Sequence, residues 1–151
     1  MNTSRTKLTV ARITPGDALP ERAYTPDNVQ LMLYNAALWN GHRIHFDEPY
    51  AREVEGYPGL VIAGPLLGDW LNQCVEEWLG DDGLLTSIEY SNRVATYIGE
   101  TLVAGGTVTA VEVAGDAIGQ VTIDVFIRNE AGEIVAPGVA TAVITGAEDG
   151  A

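Results

Sequence analysis

The stretch from Trp39 to Leu67, WNGHRIHFDEPYAREVEGYPGLVIAGPLL, holds both histidines of the chain, His42 and His45, and then a Gly64-Pro65 step that reads as a helix entry. Imidazole ionises near neutral pH and can both take and return a proton. A glycine before a helix-starting proline lets a ligand oxygen approach the backbone, where the helix N-terminus favours developing negative charge. A proton-transfer group and an anion-stabilising helix start therefore lie close in sequence here.

The elements that must position these groups follow from the periodicity. Lys7 to Ile13 alternate weakly and predict a strand, and the polar segment GDALPERAY reads as a loop. Thr25-Pro26 is an N-cap and first-turn signature. Val29, Met32, Leu33, Ala36 and Ala37 then repeat at helical spacing, which predicts a helix over 26–38 with Met32 and Leu33 in the core, ended by Asn40-Gly41. Asp47-Glu48-Pro49 starts a short helical turn through Tyr50 and Ala51, with Asp47 as its cap, and Gly56-Tyr57-Pro58-Gly59 is irregular. From Pro65, the residues Leu67, Trp70, Leu71, Cys74, Val75 and Trp78 keep the 3.6-residue period until Gly80-Asp81-Asp82-Gly83 stops it. Four strands are expected after it, over 85–93, 100–113, 120–128 and 133–145, forming an antiparallel meander with turns at Asn129–Gly132 and Gly115-Asp116. Val121, Ile123, Val125 and Ile127 share one strand face, the alternation of a half-covered sheet. The acidic residues near 147–149 read as a frayed tail. The sum is an α+β architecture, a sheet wrapped around one apolar helix.

The whole chain, 1–151, is the size of one domain, and 46% hydrophobic content without an apolar run near 18 residues predicts a soluble globular protein. Neither a secretory signal nor a membrane anchor is read in MNTSRTKLTVAR, so the expected location is cytoplasmic. The only cysteine, Cys74, lies on the apolar helix stripe and reads as packing; without Cys or His companions at ligand spacing, no metal site is expected. A formal net charge of -13 makes nucleic acid a poor partner. The same field works against any anionic ligand, so a coenzyme A substrate would need help from Arg43, Arg52 or Arg93. Lys7 is the only lysine, so ammonium contacts to coenzyme A phosphates are scarce.

The string Asn40-x-His42-Arg43-Ile44-His45-Phe46-Asp47, followed by Tyr50-Ala51, Glu55-Gly56-Tyr57-Pro58-Gly59-Leu60 and Gly64-Pro65-Leu66, resembles the MaoC-like hot-dog hydratases and dehydratases. Within them it is similar to the branch that includes mesaconyl-CoA hydratase and hydroxyacyl-thioester dehydratase type 2. Arg93 and Gly99 also resemble that branch after the central helix. The resemblance implies a hot-dog fold, usually dimeric, and reversible addition of water across the double bond of an α,β-unsaturated acyl thioester. No cofactor is implied beyond the coenzyme A or acyl carrier that belongs to the substrate. In the broader (R)-specific hydratases an Asp and a His five residues later hold the water, and the backbone N–H of the glycine opening the central helix binds the thioester carbonyl. Those positions fall here on Asn40, His45 and Gly64. Asn40 departs from the pattern, because an amide orients a water but takes no proton, leaving His45 as general acid/base. Ala63 departs as well, standing where the family usually has His.

Around this centre, His42, Arg43, Tyr57, Pro58, Ala63 and Arg93 are candidates for substrate contact. Arg43 has a competing role as an ion-pair partner of Asp47 or Glu48, and Tyr50, Tyr57 and Pro58 as packing of the loop. The alternative function is a non-catalytic or accessory hot-dog subunit that binds an acyl ligand or a partner hydratase chain, in a homodimer, homo-oligomer or heteromeric assembly. A thioesterase, or another addition or elimination enzyme of biosynthesis, is the weaker reading, since no carboxylate is obviously placed to activate water at the thioester carbon.

Overall fold

The computed structural model describes residues 7–114 and 118–146. The expected turn at Gly115-Asp116 and the acidic tail at 147–149 lie outside the described residues. The architecture is a hot-dog: a curled five-stranded antiparallel sheet around one long helix. In chain order the elements are β1 (Arg22–Tyr24), α1 (Asn28–Ala37), α2 (Gly64–Leu79), β2 (Gly83–Tyr90), β3 (Leu102–Val113), β4 (Gly119–Arg128) and β5 (Ile134–Ile144).

α2 forms where the 3.6-residue stripe runs. It buries Leu67, Trp70, Leu71, Cys74, Val75 and Leu79 against the inner face of the sheet, while Trp78 is only half-buried. Each wholly buried aliphatic side chain here, such as Leu71 or Leu79, contributes about 1.5–3 kcal/mol. Gly80 ends the helix with φ 52°, and its N–H donates to the Glu76 carbonyl. The inward residues of β4, Val121, Ile123, Val125 and Ile127, are all buried as their alternation predicts. At the β4–β5 turn the Asn129 side chain accepts from the Glu133 N–H at 2.9 Å and Gly132 adopts φ 83°.

Several expectations change. Lys7–Ile13 is not a strand: the Leu8 N–H donates to the Asp82 carboxylate at 2.8 Å, and Val10–Arg12 closes a 3-10 turn. Among the described residues no strand pairs with this segment. The loop expected over 16–24 contains β1, an edge strand pairing with Leu102–Ala104 of β3. α1 is capped not by Thr25 but by Asp27, in a reciprocal capping box with Gln30, while the Thr25 hydroxyl bonds that of Thr101. Finally, the sheet order is β1-β3-β4-β5-β2, so only β3, β4 and β5 form a meander. β2 pairs with β5, stops at Tyr90 before the expected Arg93, and leaves the chain to cross back through residues 91–101.

Met32 and Leu33 are also misplaced by periodicity alone, being 51% and 59% exposed. The inner sheet face is already filled by α2, so α1 docks at the rim with the narrow stripe Leu31 and Asn35. Leu31 joins Ala51, Leu60 and Ala63 in a small second core. The Tyr34 hydroxyl donates to Asp69 of α2 at 2.6 Å, fixing α1 to the first turns of the central helix; burial, then this bond, raises the Tyr34 pKa.

Candidate active site

Asp47 organises the histidine loop. Its carboxylate accepts the Tyr50 N–H at 3.1 Å, starting the short helical segment Tyr50–Val54, and takes both Nε and Nη2 of Arg43 at 3.0 and 2.7 Å. The Arg43 guanidinium lies over the Tyr50 ring. Arg43 is thereby spent inside the loop, as the competing expectation had it. Arg52 is likewise paired with Glu48. The His42 ring accepts the Ile44 N–H, and a tight turn Arg43–His45 then delivers His45 inward.

His45 is 8% exposed, and its Nδ1 lies 2.7 Å from the Val61 carbonyl oxygen. A carbonyl only accepts, so Nδ1 carries the hydrogen and Nε2 of the neutral ring presents a lone pair. Burial pushes the His45 pKa below the usual histidine value; the carbonyl bond opposes this and the nearby His42 adds to it. A ring kept neutral with one nitrogen free is a base at neutral pH. The Val61 N–H in turn donates to Ile44, so residues 44–45 and 61 are locked together.

His45 and Gly64 line one cavity of about 280 Å³, with Ile44, Val61, Ile62, Leu67 and residues 92–96. Gly64 opens the 16-residue α2 and its N-cap, Ala63, offers no capping side chain; Pro65 has no N–H and the Leu66 N–H donates to the Ala63 carbonyl at 2.9 Å, which leaves the Gly64 N–H as the backbone donor of the first turn that borders the cavity. A Cβ at Gly64 would run into the Asn92 carboxamide, so this helix entry is tight enough to exclude a side chain. Among the described residues no three His, Cys, Asp or Glu side chains converge as a metal site would need.

The other sequence candidates are distributed differently. Arg93 lines the His45 cavity and also a larger, open one of about 610 Å³ with Tyr90, Phe126 and Pro137. Asn40 does not line the His45 cavity: its carboxamide oxygen accepts the His42 N–H at 3.2 Å, and it borders a separate hollow with Asn35 and Trp39. Tyr57 packs toward Tyr97, Pro58 is exposed, and Ala63 is buried in the second core. Sequence reasoning missed Asn92 and Thr96, which enter the cavity because the chain crosses back after β2. The Asn92-Arg93 neighbourhood was readable; the crossover was not.

Residues 1–98 match the family model described as hydroxyacyl-thioester dehydratase type 2. The chain belongs to that family. A mesaconyl-C(4)-CoA hydratase from Chloroflexus aurantiacus is 52% identical over 46 residues, 30% of this chain and 16% of that protein. The mitochondrial hydroxyacyl-thioester dehydratase type 2 of Schizosaccharomyces pombe is 33% identical over 66 residues, 42% and 22% respectively. The matched segments thus span at most about a fifth of these two family relatives. An (R)-hydratase from A. caviae involved in PHA biosynthesis has a TM-score of 0.77 at 16% identity, over 87% of this chain and 96% of that one. R-hydratase PhaJ1 from Pseudomonas aeruginosa gives 0.80 at 17%, over 95% and 88%. The ChsH1-ChsH2 complex from Mycobacterium tuberculosis gives 0.74 at 21%, over 87% and 98%. At these identities the three share its fold. Among the described residues no helix is long and apolar enough to cross a membrane.

Proposed function

We propose that this protein hydrates an α,β-unsaturated acyl thioester, and dehydrates the 3-hydroxyacyl product in reverse. The observation that carries the reading is the buried, neutral His45 with Nδ1 held by Val61, in one cavity with the uncapped Gly64 end of α2. The thioester carbonyl sits at the Gly64 backbone N–H, where a donor of this kind is worth about 3 kcal/mol in the transition state. His45 Nε2 takes a proton from water as the oxygen bonds to the β-carbon. The double-bond electron pair shifts to the α-carbon and the carbonyl oxygen, and His45 returns its proton to the α-carbon. Atoms and charge balance without a cofactor; coenzyme A or an acyl carrier enters as part of the substrate. The test is loss of conjugated-thioester absorbance over a panel of enoyl-CoA and enoyl-carrier substrates. Turnover is expected on at least one, and silence of the folded protein across both carriers overturns the reading.

A second reading, an accessory subunit of a heteromeric hydratase, is favoured by Asn40 alone. Its carboxamide is engaged by the loop backbone and borders a different hollow, so the second water-holding position of the resembling hydratases is not supplied from there. Activity that appears only after a partner hot-dog chain is added would select this reading. Homodimerisation is the assembly proposed otherwise.

A further inference from the structure

The start of the central helix supplies one donor where an enolate oxygen has room for two. Among the first three residues of α2, Pro65 has no N–H and the Leu66 N–H is bonded to the Ala63 carbonyl, so only the Gly64 N–H is left for a ligand. A second polar hydrogen stands beside it. The Asn92 carboxamide lies against Gly64 on the side where a Cβ would project, and measured from that Cβ position Nδ2 is its nearest atom, with Cγ and Oδ1 farther off at 3.0 and 3.6 Å. Asn92 and Gly64 line the same cavity as His45. The backbone holds Asn92 in place from both sides: the Ser91 N–H donates to the Pro137 carbonyl at 3.0 Å and the Arg93 N–H to the Val135 carbonyl at 2.9 Å. No hydrogen bond to another described residue engages the carboxamide itself, so its donors are not used up within the fold.

We propose that Asn92 is a further catalytic residue, whose Nδ2–H joins the Gly64 N–H in binding the thioester carbonyl oxygen. This rests on the hydratase reading. As the water oxygen bonds to the β-carbon, negative charge gathers on the carbonyl oxygen and both donor bonds strengthen; when His45 returns the proton to the α-carbon, the charge leaves again. Asn92 donates throughout and neither gains nor loses a proton, so the balance of the reaction is unchanged. A neutral donor positioned by the backbone matters here because a chain of net charge -13 gives a developing anion no help at long range. The contact also gives residue 64 a reason to be glycine, since a side chain there would push the carboxamide away.

The experiment compares wild type, Asn92→Ala and Asn92→Asp for hydration of crotonyl-CoA, and for the carbonyl carbon resonance of isotope-labelled butyryl-CoA, which has no double bond to hydrate. Asn92 is an exposed side chain without a protein partner, so both variants are expected to melt within about 2 °C of wild type. Asn92→Ala is expected to lose about 10²-fold in turnover, the lower end for one oxyanion donor, and to return the bound carbonyl resonance part of the way to its position in free butyryl-CoA. Asn92→Asp keeps the shape but sets a carboxylate against the enolate oxygen, and is expected to lose more. A side chain that served only to cap the helix through its oxygen would be replaced well by that carboxylate, so this variant separates the two roles. Turnover within about threefold of wild type in either variant, or a bound carbonyl resonance that Asn92→Ala does not move, overturns the Asn92 assignment and leaves the hydratase reading standing. A wild type without turnover, whose bound carbonyl is shifted and relaxes in Asn92→Ala, overturns the hydratase reading and keeps the donor. A wild type with neither turnover nor a shifted carbonyl overturns the two together.

Discussion

Replacing His45 with Ala separates catalysis from folding, because the side chain has two contacts of different kinds. Its Nδ1–H satisfies a carbonyl of the buried residue Val61, so removing it leaves that acceptor unpaired at a cost of about 1–3 kcal/mol in stability. His45 is the only histidine lining the cavity, and loss of a general acid/base lowers turnover by about 10²–10⁴-fold, or roughly 3–5 kcal/mol in the barrier. Thermal unfolding reads the first quantity and enoyl-thioester hydration the second. The pH dependence adds a sign. Burial lowers the His45 pKa in the native state, so the unfolded chain binds more protons over the interval between the native value and about 6.5. Wild-type stability should therefore decline as pH falls through about 6.5 and level off below the native pKa, and the variant should lack this contribution. The acid limb of kcat/KM should likewise lie below about 6.5. A folded His45→Ala protein with turnover within a few-fold of wild type, or an acid limb above 6.5, refutes the assignment of His45 as the base.

Two further outcomes test how the site is supported. Leu31 is wholly buried in the second core with Ala51, Leu60 and Ala63, so Leu31→Ala should cost about 2–5 kcal/mol in chemical denaturation and weaken hydration by loosening the loop that carries His45. Met32→Gln and Leu33→Gln, which would each be severe if these side chains faced the core, should shift stability by no more than about 0.5 kcal/mol in the same assay, because both are mostly exposed.

The central helix was legible because a wide apolar stripe over about four turns has no other use in a chain of this size, and β3 to β5 because their alternation is long and their bounds are marked by Gly and Asn. The histidine loop was legible by resemblance, and Asp47 as its cap by position. What failed was tertiary. Met32 and Leu33 fit a helical period, yet which apolar stripe wins the sheet is decided by competition with α2. β1 has three residues, too few for alternation to register. The order of β2 in the sheet is invisible locally, since a strand edge complementary to β5 and one complementary to β3 are both simply apolar on one face. That one misreading hid Thr96 and Asn92, because their place in the cavity depends on the crossover and not on anything adjacent to them in sequence.

The crossover also decides how a strongly acidic chain can meet an anionic substrate. Four arginines that could attract phosphate are held by carboxylates: Arg22 by Glu77, Arg43 by Asp47, Arg52 by Glu48 and Arg128 by Glu21. Arg93 instead bonds the Ser91 hydroxyl at 3.3 Å and has no carboxylate partner among the described residues. It borders both the His45 cavity and the larger open one beside it. A cation at the junction of two cavities acts over the few ångströms where long-range repulsion from a net charge of -13 is screened by salt, since the Debye length at physiological ionic strength is about 8 Å. Local pairing at Arg93 is thus compatible with the overall charge, where a dispersed basic surface would not be. On the proposed reading, the thioester enters past Arg93 with its reactive end at Gly64 and His45. The same eleven-residue connection then supplies the cation that greets the substrate and, in Asn92, the carboxamide that closes on Gly64.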